Sequence, residues 1–312
     1  MIVWARPDQK KLVRDALRGG RLTLVAVGAE TPAEGGLAHD LKVESAGPLR
    51  DALMRTDIDL WWLASGADFD GPSRQRLRGL RGTPTPVFCT EPLPSTVAQL
   101  RASDDAPLPV VPLFRHSPGW RAAAELLETF GDIDAAAVTM TAGVGEGSLL
   151  ARIYDCFDLL SAIFGPPEMI DAAMPRGTGV VPGTLLGRQG HVTGHVRFGH
   201  GHAAAFVVTA GGGAWSRRMD LLGRSGRLVI DDCGFVLHDA SGAVVEENQV
   251  HETLTAGQLV GMAVGERLRA AEAPVAPVDH AAALASCDAT LLSCRTGQSE
   301  DPRRVREMLL HP

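Results

Sequence analysis

Short apolar runs alternate with amphipathic stretches over the first hundred residues. MIVWA is an apolar run that stops at Arg6-Pro7. Residues 8–18 then place Leu12, Val13, Ala16 and Leu17 on one helical face, and Gly19-Gly20 ends that helix. LTLVAVG (22–28) is apolar without alternation, the pattern of a strand buried on both faces. A short helix over 48–56 leads to a further buried strand in DIDLWWLAS (57–65). A basic helix over 74–82 leads to another in TPVFCTEP (85–92). This strand–helix rhythm predicts a Rossmann-like, doubly wound parallel sheet.

From about residue 114 the pattern changes. A helix is predicted over 119–131, a strand over 134–142 and a long helix over 149–165. Beyond Gly165-Pro166-Pro167, strands are expected in MIDAAMP, GTLLGR, HVTGHVRFG, HAAAFVVTAG, SGRLVIDD and GFVLHDASG, with Gly and polar residues between them. Hairpin spacing of this kind predicts a large open, mostly antiparallel sheet. Two helices, 255–271 and 279–297, close the pattern. The expected class is α/β, with a Rossmann-like unit at 1–113 and a C-terminal α/β unit at 114–312.

Composition narrows the function classes. With 312 residues, 45% apolar and 21% charged, the chain can bury a substantial core. A net charge of −7 disfavours binding nucleic acid through its phosphates, and 5% aromatic content argues against a base-stacking platform. Charge arrives at Arg6 before any apolar leader run, and no stretch nears the ~20 apolar residues of a membrane helix. The five cysteines are scattered, without CxxC or Cys/His ligand spacing, and read as reduced thiols of a cytoplasmic protein.

Six segments in order carry a resemblance: LTLVAVGAE, SAGPLRDALMRTDIDLWWLAS, TPVFCTEPLPST, FDLLSAIFGPPEMIDAAMP, SGRLVIDDCGFVLHDASG and CDATLLSCRTGQ. Together they resemble the Gfo/Idh/MocA family of NAD(P)-dependent sugar and polyol oxidoreductases over nearly the whole chain. The resemblance implies substrate chemistry between the two domains and oligomerisation through the C-terminal sheet. It also implies a glycine-rich turn after the first strand, where the backbone approaches the cofactor pyrophosphate. The matching segment here, Ala5-Arg6-Pro7-Asp8-Gln9-Lys10, has no glycine, and Asp8 is an N-cap that puts a carboxylate at the anion position. The acid expected to hold the ribose hydroxyls falls at Ala29-Glu30. The family's Glu-Lys-Pro motif is Thr90-Glu91-Pro92, so an anion stands where the resemblance implies a cation that stabilises an alkoxide. On the long helix the family's aspartate and proton-transferring histidine fall at Ala151 and Asp155, and only the further aspartate, Asp158, is kept.

The candidate catalytic residues are therefore Glu91, Asp155, Asp158 and His116, as an acid/base or cation site. The competing reading gives these acids capping and salt-bridge roles, and His116 a structural hydrogen bond. For NAD or NADP the candidate contacts are Arg6, Lys10, Glu30 and Ser65. His191, His195, His200 and His202 match no metal-ligand spacing, so no metal is expected. GGGAW (211–215) reads as a hairpin turn and the arginines of 74–81 as a solvated helix face. The expected protein keeps the fold, has lost standard hydride transfer, and acts as a ligand-binding or partner subunit, with a small, sugar-like molecule as ligand and a second copy or related chain as partner. The alternatives are a divergent NAD(P)-dependent oxidoreductase on a sugar or polyol, and a lyase or hydrolase using Glu91 and Asp155.

Overall fold

The computed structural model describes residues 1–18, 22–29, 36–47, 49–66, 71–80, 85–102, 107–175, 181, 183–248, 253–269 and 278–310. Five short strands, β1 (Ile2–Trp4), β2 (Ala26–Gly28), β3 (Glu44–Ser45), β4 (Trp61–Leu63) and β5 (Val87–Cys89), form a parallel sheet in the order β3-β2-β1-β4-β5. Ile2 pairs with both Ala26 and Trp61, which makes β1 the central strand where the winding reverses. Alternate residues feed two separate cores. Ile2, Trp4, Trp61 and Leu63 join one cluster, and Val3, Ala5, Leu60 and Trp62 join the other. This two-sided burial is why the strands read as unbroken apolar runs. The helices of this half are α1 (Lys10–Arg18), α2 (Gly36–Leu41), α3 (Leu49–Ala52), α4 (Gly71–Leu80) and α5 (Val97–Ala102).

The second half is built on an eight-stranded sheet with α6 (Pro118–Thr129) leading into it. Its strands are β6 (Ile133–Ala142), β7 (Met169–Ala173), β8 (Gly190–Arg197), β9 (Ala203–Ala210), β10 (Ser216–Gly223), β11 (Gly226–Asp231), β12 (Phe235–Asp239) and β13 (Val244–Asn248). They run in the order β13-β12-β11-β10-β6-β9-β8-β7, antiparallel except for the β6–β9 pair. The helix α7 (Leu149–Phe164) is buried along its first three turns, and α8 (Ala256–Arg269), α9 (His280–Thr296) and α10 (Pro302–Leu310) follow. Among the described residues no helix is long and apolar enough to cross a membrane.

The α/β class and both sheets agree with the sequence expectation, with local corrections. Of LTLVAVG only the last three residues pair as a strand, while Leu22 and Leu24 stay half-buried against the second core. GTLLGR is not a strand. Its Leu185 and Arg188 carbonyls accept the Leu150 and Leu149 amides, so it caps the first turn of α7 instead of pairing with a neighbour. The chain ends on three helices, not two, because Pro302 starts α10. Strands β10 and β13 add to the expected sheet; in β10 an inward-facing arginine, Arg217, breaks the apolar alternation. Residues 211–214 bend the chain but are not the expected hairpin turn: β9 and β10 flank β6 on opposite sides, so the segment crosses the end of that strand.

Helix α8 returns to the first half and lies on α1 at backbone distance. A Cβ on Gly257 would sit 2.3 Å from the Leu12 carbonyl oxygen, and one on Gly261 2.5 Å from that of Ala16. Gly257→Leu is expected to force the helices apart and cost about 2–3 kcal/mol, read as a lowered urea midpoint with an unchanged m-value.

Candidate functional site

The sequence-selected residues fall into two places. The first is the turn after β1. Pro7–Gln9 form one 3-10 turn that runs into α1, with the side chain of Gln9 directed inward. Gln9 Nε2 donates to the Ala64 carbonyl at 2.8 Å, and its Oε1 accepts the Arg6 amide at 2.9 Å. The Gln9 amide in turn donates to the Arg6 carbonyl. The Asp8 carboxylate is held by Arg6, with Nε at 3.2 Å, and Lys10 is paired with Asp40. Gly145, at φ +79, packs its backbone on this turn; a Cβ there would lie 2.2 Å from the Asp8 carbonyl oxygen. Lys11 ties the same loop down through Glu146 at 3.6 Å.

These residues do not fit a dinucleotide pyrophosphate. Two of the turn's amides bond within the turn and Pro7 has none; Asp8 is not the expected N-cap, because Arg6 holds that position without a side-chain cap bond and the Asp8 carboxylate pairs with the Arg6 side chain. Both candidate cations, Arg6 and Lys10, are engaged by acids. Ser65 is buried beside β1, its amide on the Trp4 carbonyl. Glu30 lies outside the described residues.

The second place is a buried polar cluster where β5, the turn at 112–116, α7, β10 and the end of β11 meet. Ser148 caps α7, and Glu91 caps Ser148: Glu91 Oε1 accepts the Ser148 amide at 2.8 Å and Oε2 accepts its hydroxyl at 2.5 Å. An acid at a helix N-terminus meets the positive end of the helix dipole. Burial pushes the Glu91 pKa up, opposed by its bonds to Ser148. Gly66 leaves room for it, since a Cβ there would come within 2.7 Å of Glu91 Cγ.

Asp155 is fully buried and accepts the Phe114 amide at 2.7 Å, Arg217 Nη1 at 2.8 Å and, more loosely, Arg152 Nη1 at 3.4 Å. Arg217 continues to Asp232 Oδ1 through Nε and Nη2, at 2.9 and 2.7 Å, and reaches the Pro112 carbonyl at 3.1 Å. Trp215 Nε1 donates to Asp232 Oδ2 at 2.9 Å. The Trp215 ring carries both guanidiniums, Arg152 at 4.5 Å and Arg217 at 4.9 Å. Asp158 faces the neighbouring turn and binds Arg115 Nε at 2.6 Å; burial nonetheless pushes its pKa up to about 6. His116 follows Arg115, and burial, with Arg115 next in weight, brings its pKa down to about 3.

The structure thus joins Glu91 and Asp155 to one cluster and puts Asp158 and His116 at its edge. Every carboxylate oxygen of Glu91 and Asp155 has a bonded partner, the capping and salt-bridge arrangement rather than a poised acid/base pair. Sequence reasoning missed Arg152, Arg217, Trp215 and Asp232. The available signals were a cation inside the apolar helix run LLARIYDCFDLL and an arginine in the inward register with Trp215, Met219 and Leu221. The histidines stay apart from this site: His200 turns the chain between β8 and β9 at φ +61, and His191 bonds Thr209 at 2.9 Å. Among the described residues no group of three His, Cys, Asp or Glu side chains is placed to hold a metal.

No family model and no curated protein matches the chain. Solved structures match in fold over nearly all of it. One is a putative myo-inositol dehydrogenase from Sinorhizobium meliloti 1021, 17% identical, with 96% of this chain and 99% of that chain covered at TM-score 0.66. A levoglucosan dehydrogenase in complex with NADH and L-sorbose is 14% identical, with coverages of 96% and 98% and TM-score 0.69. A myo-inositol dehydrogenase from Lactobacillus casei in complex with NAD(H) and myo-inositol is 16% identical, with coverages of 96% and 95% and TM-score 0.62. These are oxidoreductases of the Gfo/Idh/MocA type, and the chain has their fold, as the six sequence segments led us to expect.

Two predictions follow from the cluster's geometry. Glu91→Lys, which restores the cation of the family motif, is expected to cost about 3 kcal/mol by facing the N-terminus of α7 with a buried cation. Glu91→Gln, which keeps an acceptor for the Ser148 amide, is expected to stay within about 1.5 kcal/mol of wild type; equilibrium denaturation compares the two.

The second concerns His280 of α9, which braces the cluster from behind. Its Nδ1 accepts from Tyr154 Oη at 2.9 Å and its Nε2 donates to the Pro94 carbonyl at 3.1 Å, an assignment set by the acceptor-only carbonyl. Burial depresses its pKa to about 4. The neutral ring therefore stabilises the fold fully above about 6.5, and that contribution is lost as pH falls toward 4, by at most about 1.4 kcal/mol per pH unit. The stability advantage of wild type over His280→Gln is expected to shrink between pH 7 and pH 5 in paired urea titrations.

Proposed function

We propose that this chain is a member of the Gfo/Idh/MocA oxidoreductase group that has lost dinucleotide-dependent hydride transfer and serves as a ligand-binding or partner subunit. The observation that carries this reading is the β1–α1 turn: Gln9 plugs into the Ala64 carbonyl, Asp8 takes up the Arg6 guanidinium, and the Gly145 backbone rests on Asp8 and Gln9. The lysine and histidine positions support it, because Glu91 and Asp155 have become buried structural acids. Residues 1–113 form its degenerate cofactor unit and residues 114–312 its ligand and assembly unit, with the open sheet as the surface for a second copy or a related subunit. A sugar-like molecule is the ligand class suggested by the neighbours' inositol and sorbose complexes. The same complexes favour the second reading, a divergent NAD(P)-dependent polyol dehydrogenase.

Titration with NADH and NADPH, followed by tryptophan quenching, separates the two. Trp61 and Trp62 lie in β4 beside the turn and report on it. No saturable quenching is expected up to millimolar cofactor. Saturation in the micromolar range, about −8 kcal/mol, defeats the loss-of-cofactor reading and supports the dehydrogenase.

A further inference from the structure

Among the described residues Arg152 is the buried charge with the most unpartnered nitrogens, two against one (Nη2) in Arg115. Its side chain is fully buried, yet among the described residues Nε and Nη2 have no hydrogen-bond partner. Nη1 has only the 3.4 Å contact with Asp155. The acids around it are committed elsewhere: Glu91 to Ser148, Asp232 to Arg217 and Trp215, and Asp155 chiefly to Arg217 and the Phe114 amide. A buried guanidinium with two undirected N–H groups is a large local cost, which an arriving anion removes.

The free edge has a specific shape. The guanidinium is braced over the Trp215 ring at 4.5 Å, which fixes its plane. Gly147, at φ +115, borders the Nε and Nη2 atoms; a Cβ there would lie in van der Waals contact with both, 3.6 Å from each, and glycine supplies none. Nε and Nη2 are the side-on fork of arginine, with two parallel N–H donors at the spacing of the two oxygens of a carboxylate. A hydroxyl accepts one such hydrogen bond and brings no charge.

We infer that the Nε–Nη2 edge of Arg152 is the recognition point for the carboxylate of a small ligand, with Trp215 holding the guanidinium plane and Gly147 leaving the approach free of a side chain. This deepens the ligand-binding reading above and rests on it: the ligand class becomes an acid, such as a sugar acid, instead of a neutral polyol.

The test compares D-gluconate and D-glucuronate with their uncharged counterparts, D-glucitol and D-glucose, by thermal shift and calorimetric titration of the full chain, with sulfate at equal ionic strength as control. The acids are expected to raise Tm and to bind at least about tenfold more tightly than the neutral compounds. Arg152→Lys keeps the charge and removes the fork, and is expected to weaken acid binding at least about tenfold; Arg152→Gln is expected to abolish it. If Arg152→Gln does not fold, Arg152→Lys and the acid-to-neutral ratio of wild type decide. Equal binding of acids and polyols overturns the carboxylate assignment while leaving a ligand-binding protein. Binding unchanged in Arg152→Lys, an equal effect of sulfate, or no binding by either acid also overturns it. Saturable NADH binding together with acid selectivity defeats the loss-of-cofactor reading and leaves this inference standing.

Discussion

The constraint on which the rest depends is the burial of Arg217 between Asp155 and Asp232. A guanidinium taken fully out of water is costly unless its N–H groups are met, and for Arg217 two carboxylates and the Pro112 carbonyl meet them. The acceptors come from α7, from the end of β11 and from the segment that leaves the parallel sheet. One side chain of β10 therefore fixes the position of the long helix against the large sheet and anchors the connection to the first half. Such a cluster adds less net stability than an apolar core of equal volume, but each member is costly to remove because its partner is left charged and buried. Its contribution is to geometry: the turn at 112–116 has one place to sit.

The apparent substitutions at the family's chemical positions are coordinated by the same logic. A glutamate at position 91 matches the N-terminus of α7, where a lysine would meet the positive end of the helix and the Ser148 amide. An aspartate at position 155 matches Arg217, where a histidine would leave the guanidinium without its second carboxylate. Asp158 keeps its place by bonding Arg115. Each of these acids is neutralised or capped by its surroundings.

Much of the fold was legible because two-sided burial leaves a direct trace. MIVWA and LWWLA are uninterrupted because alternate residues enter different cores, and β6, β8 and β9 alternate because only one face of their sheet is covered. GTLLGR misled because its apolar residues serve a cap: Leu185 is buried, but its backbone bonds α7. The cluster was half legible. Glu91 and Asp155 were found as departures from the family pattern, since an acid in place of a lysine or histidine is visible in the chain. Arg217 and Asp232 were not, because each partner lies far off in sequence and an arginine in a strand reads as solvent-facing until the register is known. The inward phase set by Trp215, Met219 and Leu221 carries that information, but only once β10 is recognised as a strand.

The direction of the unmatched charge then limits the chemistry available. General acid–base catalysis needs a carboxylate with a free oxygen or an imidazole able to exchange a proton near neutral pH. Glu91 and Asp155 have both oxygens bonded, and His116 is held neutral far below that range. These assignments weigh against a lyase or hydrolase built on Glu91 and Asp155. Among the described residues of the cluster and its edge, Arg152 keeps the most unmet N–H groups, with Arg115 Nη2 and His116 Nε2 beside it, and a guanidinium is a donor and not a base. A donor of fixed charge and fixed plane binds and orients an anion without moving a proton.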